Sequence, residues 1–367
     1  MQEQAVALRQ AGATVGVLYP HLRSLRTFSL AGFRDNHFQT IIREESGIPT
    51  VRNEGWGTPR LYAWQMTTTA LRLFKQYCQR FGRPDIIHAH TTLYAGVAAQ
   101  ALCERHGLPL VITEHWTGYE EGLASPRELE LTTSTLRHAK AVFSVSERLR
   151  QTLAARVGFA DAEVVPNLVD TQFFSLGKRQ APRGRVRVLC IALLAPFKRL
   201  EVLLAAVAEL ARQGFEVELE LGGDGPERPR LEKLVDSLGI RTRVRFLGLL
   251  SQSQVREAMH RADVFVLSSE VETFGVVLIE AMSTGLPVIS TRSGGPEEFV
   301  TPEVGRLVPA GDSQTLASAI EEVGTHLEQF DPEEIRRRVV ERFSAPVVAL
   351  KLINRYQQIL QRLEGAA

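Results

Sequence analysis

Short apolar runs recur along this chain, and each closes where a helical spacing of apolar residues begins. In the first half they are VGVLYP (15–20), DIIHAH (85–90), LPLVITEH (108–115) and AVFSVS (141–146). Between them lie helical patterns such as TTALRLFKQYCQRFG and YAGVAAQALCERHG. A second series starts at VRVLCIALL (186–194), continues through VELELGG, VRFLG and ADVFVLSS, and closes at LPVIST (286–291). Strands alternating with helices predict βαβ units and parallel sheets, and nearly continuous apolar runs suit strands covered on both faces. The fold class is therefore α/β.

Between the two series, LGKRQAPRGRVR (176–187) carries five positive charges and no negative one, with Pro182 and Gly184 inside it. It reads as an interdomain linker, separating a domain at 1–177 from one at 186–345. The last segment, PVVALKLINRYQQILQRLE (346–364), sets Val348, Leu352, Tyr356, Ile359 and Leu363 at helical spacing and predicts an amphipathic helix. A doubly wound domain ordinarily opens with a strand and a glycine-rich turn. Here EQAVALRQAG is already helical, so the first domain is expected to lack its first strand and that turn. Residues 20–60 show no regular period; Arg23, Arg26 and Arg34 there read as surface arginines or as contacts to a lipid phosphate.

Composition narrows the partner. A length of 367 residues suits two cores, and 43 basic against 42 acidic residues leave a net charge of +1, which gives no electrostatic case for nucleic acid. Cys78, Cys103 and Cys190 are widely separated, which fits a reducing cytoplasm rather than a disulfide framework or a zinc site. The longest apolar stretch, VLCIALLA (188–195), is too short to span a bilayer; peripheral attachment to the inner face of a membrane stays open.

Ligands of open parallel sheets collect beyond the carboxyl ends of the strands. His88, His90 and His115 stand at two such ends, and His88 and His90 point to one face. His115 is read as a ligand contact, against structural and metal-binding readings. The GGDGPER turn (222–228), with Gly223, can expose N–H groups to an anion, although a tight βα turn needs the same glycines. Lys198 and Arg199 lie at a helix start, where cations can meet a phosphate or simply face water. ADVFVLSS delivers Ser268, Ser269 and Glu270 to the same edge. Glu272 follows in the loop, Gly275 allows close backbone approach, and Glu280 falls on a short helix, VVLIEAMSTG, that is apolar on most sides. A carboxylate there requires partners, from a ligand or from backbone N–H groups.

ETFGVVLIEAMSTGLPVIST resembles the E-x7-E signature of the retaining glycosyltransferases of family 4, the group 1 transferases with the GT-B fold. DIIHAH, ITEHW, VSERL, VVPNLVDTQFF, FKR, LGGDGPERPRLEKL, VRFLG and SGGPEEFV follow the family's order. The resemblance implies two Rossmann-like domains facing across a cleft, with the final helix packed back on the first. It implies transfer of a sugar from a nucleotide sugar to a glycan, lipid-linked or small-molecule acceptor, with no metal or other cofactor. Glu272 would meet the donor sugar's hydroxyls and Glu280 the ribose. Thr273 and the backbone around Phe274 and Gly275 would approach the sugar, Lys198 and Arg199 the diphosphate, and His115 the sugar from the opposite domain. The base would lie near Phe246 and Leu247. Where the family usually carries an arginine before the lysine, this chain has Leu193. A sugar-nucleotide epimerase of the same fold, or a truncated homologue that only binds a nucleotide sugar or a protein, are the alternatives.

Overall fold

The computed structural model describes residues 2–24, 39–58, 61–177 and 184–365. The chain divides into two compact units, Met1–Pro166 with Ala345–Ala367, and Asn167–Ser344. The passage between them therefore falls at Pro166/Asn167 rather than at 176–187, and residues 178–183 of the expected linker lie outside the described residues.

The second unit is built on one six-stranded parallel sheet. Its strands are β8 (Val186–Ile191), β9 (Val217–Gly222), β10 (Val244–Gly248), β11 (Val264–Leu267), β12 (Val288–Thr291) and β13 (Gly305–Val308), ordered β10-β9-β8-β11-β12-β13. The chain works outward from β8 in one direction, then restarts at β11 and works outward in the other, the doubly wound order. β13, beyond the expected last strand LPVIST, was hidden by its brevity. Gly305 lets it approach β12, because a side chain there would collide with the Val288 carbonyl.

Residues 167–177 are fastened to this unit by α11 (Pro332–Phe343). The Arg336 guanidinium donates to the carbonyls of Thr171 (2.6 Å), Phe174 (2.8 Å) and Ser283 (2.5 Å). Ser283 itself donates to the Phe174 carbonyl at 2.7 Å, and Gly177 N–H to the Thr284 carbonyl at 3.1 Å. A chain end pinned this way cannot act as a connector.

In the first unit, β4 (Ile87–His90), β5 (Leu110–Glu114), β6 (Ala141–Ser144) and β7 (Glu163–Val164) form a parallel sheet. A separate three-stranded sheet joins β1 (Val17–Ser24), β3 (Ile48–Gly57) and β2 (Thr40–Glu45) in that order. The chain opens with α1 (Gln2–Gln10), and β1 and β4 are end strands, each with one edge that no described strand pairs. Much of 20–60, expected to be irregular, is thus a β-hairpin. Its two-residue turn, Ser46-Gly47, has φ of 52° and 73°, as a type I′ turn requires. β3 escaped notice because its burial does not alternate and polar residues fill buried positions on both faces: Thr50 and Asn53 are buried, and Arg72 donates to Asn53 at 2.6 Å. Arg26 and Arg34 lie outside the described residues.

Helix α2 (Tyr62–Phe81) covers β1 and β3 with Leu73 and Tyr77, which cluster with Val51. The final helix α12 (Ala345–Glu364) belongs to this unit, lies against α1, and buries Val348, Leu352 and Ile359. Leu363, expected on the same stripe, is exposed. Among the described residues, no helix is long and apolar enough to cross a membrane.

Replacing Arg336 with methionine keeps the packing stem and removes the donors to three carbonyls. We expect a loss of about 2 kcal/mol from the second unit, read as a lower denaturant midpoint with an unchanged slope.

Candidate active site

The crevice at the carboxyl ends of β8 and β11 is the topological switch point of the second unit, where doubly wound sheets hold their ligands. After β8 the chain makes a 3-10 turn at Pro196–Lys198 and enters α6 (Leu200–Arg212). After β11 it runs through Ser268–Glu272 to α9 (Val276–Ser283). Two hydrogen bonds tie these loops: Glu270 N–H to the Phe197 carbonyl at 2.9 Å, and Ser268 Oγ to the Lys198 carbonyl at 3.0 Å.

On this frame Lys198 Nζ meets Glu272 Oε1 at 2.5 Å, and Ser269 Oγ donates to the same oxygen at 2.7 Å. Both charged side chains are largely buried, at 17% and 11% exposure. No described residue donates to the other carboxylate oxygen of Glu272. The backbone of Glu272 is pinned as well: its N–H donates to the Ser293 carbonyl and its carbonyl accepts from Gly295 N–H, both at 2.8 Å. Gly295 has to be glycine, since a Cβ would lie 2.5 Å from the Phe274 Cα.

Thr273 and Phe274 continue this segment. The Phe274 ring is in the core with Phe299 and Phe343, so only its backbone is available to a ligand. Gly275, at φ 88°, turns the chain into α9. Glu280 sits on α9 half-exposed, whereas Glu272 is 8% exposed. Glu272 is thus the more deeply buried of the two carboxylates; Glu280, half-buried on a helix whose Leu278, Ile279, Ala281 and Met282 face the core, is not without a partner, as a carboxylate there requires.

Arg199 adopts a left-handed backbone, φ 47° and ψ 40°, and pairs with Glu270 and Glu201, both at 2.8 Å. Its charge is matched by two carboxylates and Leu193 is exposed without a charge, whereas Lys198 is largely buried with Glu272 as its ion-pair partner. The N–H of Gly223, read as open to an anion, donates to the Gly248 carbonyl at 2.7 Å, and that of Gly225 to Asp224 Oδ1 at 2.8 Å. The glycines here serve packing: a Cβ at Gly223 would strike the Ala192 carbonyl. Phe246 and Leu247 are half-exposed at the end of β10, with the Arg228 guanidinium 5.9 Å from the Phe246 ring.

In the first unit the predicted histidines do come together. His88 and His90 stack at 4.7 Å, and His90 Nδ1 and His115 Nε2 share a hydrogen bond of 2.9 Å. His88 bonds Tyr356 OH at 2.5 Å and Thr113 Oγ1 at 2.7 Å. Burial holds His88 down at about 3 and His115 at about 4, and pushes His90 well below its ordinary value. Sequence reasoning missed Glu114. Wholly buried, it accepts from Thr92 N–H (2.8 Å), His115 N–H (2.8 Å) and Trp116 N–H (2.9 Å). Its signal was a carboxylate closing the otherwise apolar run LVITE.

Residues 172–334 match the family model for glycosyl transferases group 1, and residues 1–173 match that for Glycosyltransferase Family 4. The chain belongs to the group 1 glycosyltransferases. An N-acetyl-alpha-D-glucosaminyl L-malate synthase of Bacillus anthracis is 30% identical over 342 residues, which cover 86% of this chain and 87% of that relative. Of other curated relatives the chain spans less, 49% and 51% of the length of two and 64% of a third. Among solved structures, a sucrose-phosphate synthase from Thermosynechococcus elongatus superposes with a TM-score of 0.81 at 23% identity, covering 100% of this chain and 93% of that one. HepE from Anabaena, in complex with UDP, follows at 0.73 and 21%, covering 94% and 100%. These likenesses establish the GT-B fold of the family.

The buried histidines give the first unit a pH signature. Each is neutral when folded and has a value near 6.5 when unfolded, so the unfolded chain takes up protons first. Their contribution is intact above about pH 6.5 and is lost as the pH falls toward the folded values. The titratable groups facing His88 are His90, His115 and Tyr356. Between pH 7.5 and 5, His88→Phe should therefore lose about 2 kcal/mol less folding free energy than the wild type, measured by denaturant unfolding at each pH.

Proposed function

We propose that the protein is a retaining glycosyltransferase that moves a sugar from a nucleoside-diphosphate donor to an acceptor hydroxyl, without a bound metal. The observation that carries this reading is the buried Lys198–Glu272 pair at the switch point of a parallel sheet. Its cation suits a diphosphate. Its carboxylate, with one oxygen that no described residue engages, suits a sugar hydroxyl.

When the bond between the sugar carbon and the phosphate oxygen breaks, negative charge grows on the diphosphate and positive charge on the sugar. Lys198 answers the first and Glu272 the second, and both are fixed before the reaction begins. The acceptor oxygen bonds to the same carbon on the face that the diphosphate leaves, and its proton passes to the departing phosphate oxygen. A separate protein base is then unnecessary, unlike in the two-carboxylate glycosidases. Glu280, with its half-exposed carboxylate on α9, is assigned to the ribose hydroxyls. His115 is assigned to a hydroxyl of the donor sugar, Phe246 and Leu247 to the base, and Arg199 to a supporting role at the phosphates. The complex of HepE with UDP supports a uridine nucleotide as the first donor to screen.

With the donor and acceptor identified by screening, Glu272→Gln should lower the transfer rate by about 10²- to 10³-fold. Lys198→Ala should raise the donor Kd at least about tenfold, a loss of roughly 1.4 kcal/mol. NMR of the product should show the anomeric configuration of the donor, and EDTA should leave the rate unchanged. Wild-type turnover by both variants sinks the site assignment; an inverted product sinks the retaining mechanism.

A further inference from the structure

His115 is held at two places. Its backbone is fixed by Glu114, whose Oε1 accepts the N–H groups of His115 and Trp116 while Oε2 accepts that of Thr92 in the loop after β4. That loop is itself strained, with Thr91 at φ 68° and Tyr94 at φ 66°. Non-glycine residues keep such angles only where their surroundings over-determine them. The ring of His115 is fixed from the other side by His90, the last residue of β4, through the Nδ1···Nε2 bond of 2.9 Å. His90 in turn cannot swing away, because His88 stacks on it and is bonded to both Thr113 of β5 and Tyr356 of α12.

A hydrogen bond between two imidazole nitrogens holds one proton. With none, two lone pairs oppose each other, and with two, two N–H groups do. Both rings are neutral, because burial disfavours the cation. Each therefore has one N–H and one bare nitrogen. Whichever ring donates, the state of His115 Nε2 is dictated by its partner, and its Nδ1 takes the opposite character.

We propose that His90 is a positioning residue for His115, fixing its ring orientation and coupling its tautomer to that of His90, so that the nitrogen it offers to the donor sugar is set jointly by the pair. The catalytic consequence rests on the reading that His115 contacts that sugar. The tautomer itself does not.

The test uses the full chain labelled with [15N]histidine. Ring nitrogen shifts of wild-type His115 should report one protonated and one bare nitrogen, unchanged from pH 8 to 6. In His90→Phe, which keeps the stack on His88 but cannot bond, the ring nitrogen shifts of His115 should depart from the wild-type pattern throughout this range. Transfer by this variant should fall about ten- to a hundredfold, as when a partner orienting a functional histidine is lost. His90→Asn, which retains a polar group on a short stem, should recover part of both properties. Unchanged His115 shifts in His90→Phe, or equal impairment in the two variants, would overturn the positioning role. Wild-type transfer by His115→Ala would instead remove the sugar contact, and with it the catalytic consequence, while leaving the nitrogen shifts to decide the tautomer.

Discussion

The buried ion pair between Lys198 and Glu272 is the interaction on which the second unit's site depends. Two charges withdrawn from water are costly, and their attraction offsets that cost only when geometry is good and remaining lone pairs are used. Here the geometry is supplied from both sides. The lysine rides on a turn tied to the loop after β11, and the glutamate's backbone is clamped between Ser293 and Gly295. Ser269 adds a second donor to the paired oxygen. An ammonium held by a single carboxylate in a crevice is ready to be claimed by a stronger anion, and a diphosphate is one. Under the proposed function, Glu272 would lose its counterion as the sugar arrives beside it, so that one event would neutralise the phosphates and free a carboxylate for the reacting end of the donor.

Backbone strain among the described residues is confined to a few loops within each unit. Of the four described non-glycine residues with positive φ, Ser46 serves a hairpin turn, whereas Thr91 and Tyr94 follow the carboxyl end of β4, an end strand, and Arg199 follows that of β8, a central one. Each such angle costs on the order of 1 kcal/mol or more. The sheets, with their apolar strands covered on both faces, supply the stability that holds those loops in place. Glu114 does in the first unit what the clamp around Glu272 does in the second: hydrogen bonds of buried groups order the loop that carries a candidate side chain.

The strands of the second unit were legible as apolar runs, and so was the position of most candidate residues, because a parallel sheet places everything of interest at one end of each strand. What escaped were features that period alone does not encode. The hairpin at 40–57 was obscured by buried Thr50 and Asn53. The cationic stretch at 176–187 looked like a connector, yet the hold of Arg336 on residues 171–174 moves the division between the units to Pro166. Glu280 was legible as a carboxylate on an apolar helix, where it is half-buried and not without a partner, but the deeper burial of Glu272 in the preceding loop was not. The glycines of GGDG were legible as special, but their N–H groups are spent on carbonyl and side-chain oxygens, so close packing explains them. The bond between His90 and His115 joins residues on neighbouring strands and required the register of β4 against β5.

The central claim is that Lys198 exchanges Glu272 for the donor's diphosphate. Calorimetric titration of UDP into the wild type and into Glu272→Gln tests it most directly. The exchange predicts that UDP binds the variant at least as tightly as the wild type, because the competing carboxylate is gone while the cation remains. Markedly weaker binding of UDP by Glu272→Gln, with the fold intact, would contradict it.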